Sequence, residues 1–340
     1  MAKRVRIQAE EEEQGASGGS YFAGPKGNLD FISTGCKLFD LALGGGWVEG
    51  RIGNIVGDKS TGKTLQCIEA SANFIMKYPK GRVRYRECES AFDVQYAQQL
   101  GMPVDRVDFG DPLETVEDLF EDLTSIVGKA KNEELVIVDS LDALSDRAEM
   151  ERDMDQGSYG AEKAKKMSQL FRRLVRKMER KRVTMIIVSQ VRDKIGISFG
   201  RKTTRSGGKA LDFYASQVAY LAHLGVITKV ASNSKRPVGI RVKAKLDKNK
   251  VALPFREAEF PILFGWGVDD ITACVNWLQE VKRLKDADLS PSELKNYSRD
   301  LMRGPAKEFR REQKRLHRVV EDVWYEIEKS VLPTRTKYGS

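Results

Sequence analysis

The chain has 340 residues, 41% of them hydrophobic and 31% charged, with a formal net charge of +9. That size holds one large α/β domain with smaller additions, and the balance is that of a soluble globular protein, not a disordered or fibrous one. No apolar run is long enough to span a bilayer, the four cysteines (Cys36, Cys67, Cys88, Cys274) form no C-x-x-C pair, and the histidines are two, His223 and His317, a usage that speaks for a reducing cytosol and against structural zinc, disulfides and histidine-based catalysis.

The basic excess points to a polyanionic partner. Residues 1–28 join a basic start, the run Glu10-Glu11-Glu12-Glu13 and a Gly/Ser tract, and read as poorly ordered. Tyr21 and Phe22 in this tract are suited to docking on a neighbouring subunit or on the chain's own core. A short helix is expected over 36–43, closed by Gly44-Gly45-Gly46. Residues 52–56 read as a buried strand, and Leu65, Ile68, Ala72 and Ile75 give 63–78 a helical stripe. Between them stands Gly57-Asp58-Lys59-Ser60-Thr61-Gly62-Lys63-Thr64, with the G-x-x-x-x-G-K-[ST] spacing of the phosphate loop of nucleoside triphosphatases. Gly57 and Gly62 allow a tight turn whose N–H groups form an anion nest, and the next helix aims the positive end of its dipole at the same phosphates. Lys63 then supplies charge to the β- and γ-phosphates of ATP, and Thr64 a hydroxyl ligand to Mg²⁺.

Residues 83–86 read as a strand ending at Glu87-Cys88-Glu89, 91–100 as a helix, 104–109 as a further strand and 115–131 as an amphipathic helix. Leu135-Val136-Ile137-Val138-Asp139 is an apolar run ending in an acid. This is the pattern of a buried parallel strand whose carboxyl end lies at a ligand crevice, so Asp139 is expected to coordinate Mg²⁺ directly or through water. Residues 149–160 read as a polar loop. The following helix turns Met167, Leu170, Phe171, Leu174, Val175 and Met178 inward and carries Lys165 and Arg172 among the cations of its other face. A buried strand over 184–188 ends at Ser189-Gln190, and the cation-rich, glycine-punctuated segment 192–209 reads as mobile. Strands over 213–224 and 238–246, the latter capped by Lys248-Asn249-Lys250, precede helices over 269–283, 291–302 and 307–332. Strands alternating with helices after a phosphate loop predict an α/β doubly wound domain. The expected divisions are a flexible segment over 1–28, a core over 29–268 and a basic helical region over 269–340.

Several segments, in order, resemble the RecA family of homologous-recombination ATPases. They are Ile32-Ser33-Thr34-Gly35, Ala42-Leu43-Gly44-Gly45-Gly46, the phosphate loop, Glu87-Cys88-Glu89-Ser90-Ala91-Phe92-Asp93, Val136-Ile137-Val138-Asp139-Ser140 and Met167-Ser168-Gln169. Most specific are the run from Ser189-Gln190-Val191-Arg192-Asp193-Lys194-Ile195-Gly196 to Gly207-Gly208-Lys209-Ala210-Leu211-Asp212-Phe213-Tyr214-Ala215-Ser216, and Lys248-Asn249-Lys250-Val251-Ala252-Leu253-Pro254-Phe255. The resemblance implies a phosphate-loop ATPase core with a mostly parallel central sheet flanked by helices. It also implies a cytoplasmic, DNA-dependent ATPase that uses ATP and Mg²⁺, forms helical filaments on single-stranded DNA and pairs it with homologous duplex.

By the same resemblance Glu89 activates the attacking water, Asp93 reads the adenine edge and Tyr96 stacks on it, core packing being the other reading of Tyr96. Gln190 senses the γ-phosphate, and Lys248 and Lys250 reach a neighbouring subunit's ATP in the arginine-finger role. Residues 149–160 and 195–209 resemble the family's DNA-binding loops. Arg192 and Lys194 before the second loop and Arg201, Lys202, Arg205 and Lys209 within it supply charge, Ile195, Ile197 and Phe199 are suited to wedge between bases, and Gly207 and Gly208 complete the DNA-binding set. Lys165 and Arg172 are further phosphate contacts. Three departures stand out: no recognisable N-terminal docking helix, basic helices in place of the bacterial C-terminal domain and acidic tail, and Asp58-Lys59 where the bacterial pattern usually has Pro-Glu. Two other functions use the same core: a hexameric helicase or motor, and a regulatory paralogue that binds ATP without hydrolysing it. The first should carry a primase- or loader-binding domain, which is not evident, and an intact Lys63, Glu89 and Asp139 oppose the second.

Overall fold

Strands that are apolar on both sides belong inside a sheet covered on both faces. The computed structural model follows that rule. It describes residues 29–145, 147, 160–193, 203–205, 208–294 and 296–333, the side chains of 160–164, 192, 193, 203–205, 208 and 209 excepted. A small ladder comes first: β1 (Phe31–Ile32) pairs antiparallel with β2 (Trp47–Val48), with α1 (Lys37–Leu43) between them in sequence. Next are β3 (Ile52–Gly57), α2 (Lys63–Lys77), β4 (Arg82–Glu87) and α3 (Val94–Gln99). Then follow β5 (Val107–Asp108), α4 (Val116–Lys129) and β6 (Glu134–Asp139). The second half holds α5 (Gly160–Lys181), β7 (Val183–Asp193), β8 (Thr203–Arg205), α6 (Gly208–Tyr214) and β9 (Gln217–Ala231). It continues with β10 (Ser234–Asn249), β11 (Glu257–Leu263) and β12 (Gly267–Val268). It ends with α7 (Asp270–Glu280), α8 (Tyr297–Arg303) and α9 (Ala306–Val331).

The large sheet runs β5-β4-β6-β7-β3-β9-β10-β11-β12, with β8 paired to β7. From β5 through β9 all neighbours are parallel, and from β9 through β12 they are antiparallel. The strand period of two divides its apolar residues between two cores. Leu135, Ile137, Ile186, Val188, Ile55 and Leu221 face one layer, built from α1, α2, α7 and α9. Val136, Val138, Met185, Ile187, Ile52 and Val56 face the other, built from α4, α5 and α6. The helices after β12 thus share the first core, where Leu316, Val320 and Val323 of α9 are buried.

Most expected elements lie within a few residues of their predicted ends, and four differ for local reasons. Phe213 and Tyr214 end α6, since Ala210, Leu211 and Ala215 are buried at helical spacing, and the strand begins only at Gln217. Beyond Leu224 the β9–β10 hairpin continues as a ribbon with mostly exposed residues, closed by Ser232-Asn233, both at positive φ. Positive φ at both central residues is what a two-residue hairpin turn needs, and an exposed ribbon carries no inside-outside alternation to read. Residues 291–294 form turns, in which Glu293 accepts from the Ser290 N–H at 2.8 Å, and α8 starts only at Tyr297. The segment expected to be one mobile loop is held at its stem by β7–β8 pairing, Val191 opposite Arg205 and Asp193 opposite Thr203. Most of the expected loop 149–160 lies outside the described residues. Among the described residues no helix is long and apolar enough to cross a membrane.

Glu69 of α2 links the first core to β12 by accepting the Val268 N–H at 3.1 Å. Burial pushes its carboxyl up from 4.5 to about 7. The folded chain therefore holds this proton more tightly than the unfolded chain, so its contribution to stability is complete below pH 4.5 and is lost as pH rises through about 7. Glu69→Gln keeps the acceptor oxygen and removes the ionisation. Urea denaturation across this pH range is expected to show a shallower decline in midpoint than wild type, and an unchanged decline would assign the slope to other groups.

Candidate functional site

Parallel strands that are hydrogen-bonded in register end side by side. Gly57 at the end of β3 pairs with Gln190 of β7, and Glu87 at the end of β4 pairs with Asp139 of β6. The phosphate loop, the Glu87–Glu89 turn, Asp139-Ser140 and Gln190 therefore share one carboxyl edge of the sheet, the edge at which open α/β sheets bind ligands.

At that edge the loop after β3 turns through Ser60 and Gly62, with φ of 59° and 88°. A Cβ on Gly57 would lie 2.7 Å from Thr61 Oγ1 and 2.9 Å from the Leu221 carbonyl oxygen, so the bare backbone is a packing requirement there. Thr61 Oγ1 donates to the Asp58 carbonyl at 2.8 Å, and Lys59 N–H to Asp58 Oδ1 at 2.8 Å. Lys63, the first residue of α2, is buried and donates from Nζ to the Asp58 carbonyl at 2.7 Å. Burial pulls its ammonium below the usual value, while Asp139, Glu89, Asp58 and Asp142 act in the opposite sense. The cation is thus surrounded by carboxylates and already aimed into the loop.

Asp139 is 6% exposed. Burial raises its pKa, and hydrogen bonds from Tyr85 and Thr64 oppose that while Glu89 and Glu87 add to it. Tyr85 Oη donates to Asp139 Oδ2 at 2.8 Å. A buried carboxylate beside a threonine hydroxyl at the head of a phosphate loop is an oxygen donor set that suits Mg²⁺. Glu89 is exposed and held from two sides, by the Ser140 hydroxyl and by Gln190 Nε2 at 3.0 Å. The Asp139–Ser140 peptide is cis. Gln190 in turn donates its backbone N–H to Asp142 Oδ2 at 2.7 Å. Glu87 shapes the turn by accepting N–H groups of Glu89, Ser90 and Ala91 at 2.9, 2.8 and 3.1 Å. Sequence reasoning named Lys63, Thr64, Glu89, Asp139 and Gln190 and missed Tyr85, Ser140, Asp142 and the turn-building role of Glu87. Asp142, Ser140 and Tyr85 support a named residue across 48, 51 and 54 residues of sequence, while Glu87 shapes the Glu89 turn locally.

The remaining expected residues lie elsewhere. Asp93 caps α3, accepting the Tyr96 N–H at 2.9 Å, and Tyr96 is half-buried against the first core. Lys248 and Lys250 lie at the far end of the sheet. Asn249 pairs with Gln217, which pairs with Gly53, four residues before the carboxyl end of β3 at Gly57. Lys248 donates to the carbonyls of Asp212 and Phe213, and Lys250 Nζ donates to the Phe213 carbonyl at 3.1 Å. Both cations thus sit on the negative end of the α6 dipole. Lys165 and Arg172 are exposed on α5. Arg192 and Arg205 belong to the β7–β8 arm, and Gly208 and Lys209 open α6. Lys194, Ile195, Ile197, Phe199, Arg201, Lys202 and Gly207 lie outside the described residues.

Residues 19–269 match the family model described as the RecA N-terminal domain. The chain belongs to the RecA family. Over 252 residues it is 38% identical to Protein RecA of Synechococcus sp. (strain CC9605) and 37% identical to Protein RecA of Synechococcus sp. (strain CC9902). Each match covers 74% of this chain and 65% of the relative, just under two thirds of the relative's length. The helices from Asp270 onward lie beyond the stretch that the RecA family model matches.

The loop geometry makes Gly57 sensitive to a single methyl group. Gly57→Ala is expected to cost about 1–3 kcal/mol of stability as an overpacked site, read from urea denaturation without nucleotide. A cost within error of zero would mean that Thr61 and Leu221 yield to the methyl group.

Proposed function

We propose that the chain is an ATP-dependent DNA strand-exchange recombinase, which forms filaments on single-stranded DNA, pairs it with a homologous duplex and hydrolyses ATP. The observation that carries this reading is the shared sheet edge where Glu89 is held by Ser140 and Gln190 beside Lys63 and Asp139. In this reading the loop N–H groups and Lys63 bind the β- and γ-phosphates, Lys63 exchanging the Asp58 carbonyl for a phosphate oxygen. Thr64 and Asp139 hold Mg²⁺, which when bound supplies charge neutralisation at the phosphates. Glu89 orients the water and takes its proton, and Ser140 and Gln190 fix the carboxylate for that task. Asp93 and Tyr96 flank the base.

The DNA-binding surface is assigned to the segment that continues β7. Gln190 touches Glu89, and three residues later β7 ends at Asp193. Lys194, Ile195, Phe199, Arg201, Lys202, Arg205 and Lys209 follow directly, so a change at the γ-phosphate is one strand end away from the cations proposed to track a DNA backbone. Lys165 and Arg172 add phosphate contacts. Residues 29–268 are the proposed ATPase and DNA-binding core, with 269–340 an appended basic helical region.

A strand-transfer assay tests the reading. Wild type with ATP and Mg²⁺ is expected to move a labelled strand from duplex to homologous single-stranded DNA, and failure under conditions that give DNA-stimulated hydrolysis would exclude recombination as the activity. Glu89→Gln should bind ATP normally and hydrolyse it about a hundredfold more slowly or worse. Turnover close to wild type would remove Glu89 from the water-activating role.

Lys248 and Lys250, at the far end of the sheet from their own phosphate loop, are proposed to complete the site of an adjacent subunit. Lys250→Ala should abolish most DNA-stimulated hydrolysis, and mixing it with Lys63→Ala should restore part, since the two lesions damage different halves of a shared site. Mixed assemblies that form yet stay inactive would argue for action within one subunit.

A further inference from the structure

Beyond the family match, a polar cluster lies between α7 and α9 that the nucleotide chemistry leaves unused. Asp270 and Cys274 stand one turn apart on α7, and Gln313 and His317 one turn apart on α9. His317 Nε2 lies 2.5 Å from Asp270 Oδ2, and Gln313 Nε2 lies 2.9 Å from the same oxygen. Cys274 Sγ is 3.8 Å from Asp270 Oδ1. Asp270 and Cys274 are buried, His317 is partly exposed, and the ligand atoms of the three lie within 4.8 Å of one another. This is the one such group of His, Cys, Asp and Glu among the described residues.

We propose that Asp270, Cys274 and His317 bind a zinc-class divalent cation that fastens α9 to α7. Carboxylate oxygen, thiolate sulfur and imidazole nitrogen together suit a borderline-soft ion such as Zn²⁺ or Co²⁺ and not Mg²⁺ or Ca²⁺. A tetrahedral zinc centre sets its donor atoms about 3.3–3.6 Å apart. His317 Nε2 lies 2.5 Å from Oδ2 and Cys274 Sγ 3.8 Å from Oδ1 of the same carboxylate, and the three ligand atoms stay within 4.8 Å of one another, so side-chain rotation can close them on one ion. One carboxylate and one thiolate balance a divalent charge, which leaves a buried site neutral. The Cys274 thiol gives up its proton to solvent as its sulfur–metal bond forms, and neutral His317 offers Nε2. The carboxylate is oriented from outside by the Lys37 N–H, 2.7 Å from Asp270 Oδ1, and by Gln313. The exposed edge of His317 gives the ion access, and water fills the fourth position. Sequence spacing gave no hint of this, because the two helices contribute ligands 47 residues apart.

The test is a Co²⁺ titration of the full chain without nucleotide or Mg²⁺, in a Cys88→Ser background that removes the half-exposed thiol. The expected result is a thiolate-to-cobalt charge-transfer band that saturates at one ion per chain and is displaced by Zn²⁺. Cys274→Ser should abolish the band, and Gln313→Ala should weaken binding about 10–100-fold, as loss of an outer-shell partner does. Zn²⁺ should also raise the melting temperature of the Cys88→Ser chain but not of Cys274→Ser. No charge-transfer band in the folded Cys88→Ser chain, which needs no change in the cluster, would overturn the proposal and leave an Asp270–His317 hydrogen bond only. A band that survives Cys274→Ser would equally overturn it by placing the ion on another thiol.

Discussion

A parallel sheet buried on both faces has room for polar chemistry only where its strands stop. β3 and β6 are buried at every residue, so Asn54 is the one side-chain amide inside them, and it is satisfied by the Ile187 carbonyl and Ser189. The ionic groups of the nucleotide site gather at the carboxyl edge. There Lys63, Asp139 and Glu89 are adjacent because the strands that lead to them are in register. The site is in that sense a by-product of hydrophobic burial: two cores fix the strand positions to within a residue, and the ends inherit that accuracy.

The same constraint explains why acids and a lysine coexist in so little volume. Lys63 is drawn down by burial and up by four carboxylates, and Asp139 is drawn up by burial and by two neighbours. Each ion tempers the desolvation of the other. Tyr85 is placed by β4 to hold Asp139 from below while Thr64 holds it from the loop, so the carboxylate is fixed before any ligand arrives.

What was legible in the sequence was whatever the chain writes locally. The phosphate loop is eight consecutive residues, β6 is a short apolar run that ends in Asp139, and the apolar first half of β7 runs into Ser189-Gln190. Glu89 and Asp139 could be set side by side because each closes a strand-like run. Ser140 on Glu89 and Tyr85 on Asp139 span 51 and 54 residues of sequence, and only strand order brings them together. The β9–β10 ribbon was shortened for a different reason: once it leaves the sheet, no face is buried, and the alternation that marks a strand disappears. In β11 the alternation was present, with Ala258, Phe260 and Ile262 inward and Glu257 and Glu259 outward, but Pro261 obscured it. At its position the β10 partner is Arg241, beside a register shift in the β9–β10 ladder.

The position of Lys248 and Lys250 gives the subunit a polarity. The phosphate loop is at one end of the sheet and these two lysines are at the other, so a contact that joins them is heterologous: one chain's tail meets the next chain's head. On the proposed reading an open row of subunits always has one fewer complete site than it has members, with a bare nucleotide pocket at one terminus and idle lysines at the opposite one. Growth and loss then differ chemically at the two ends, and hydrolysis at the terminus with the bare pocket has to wait for the next arrival.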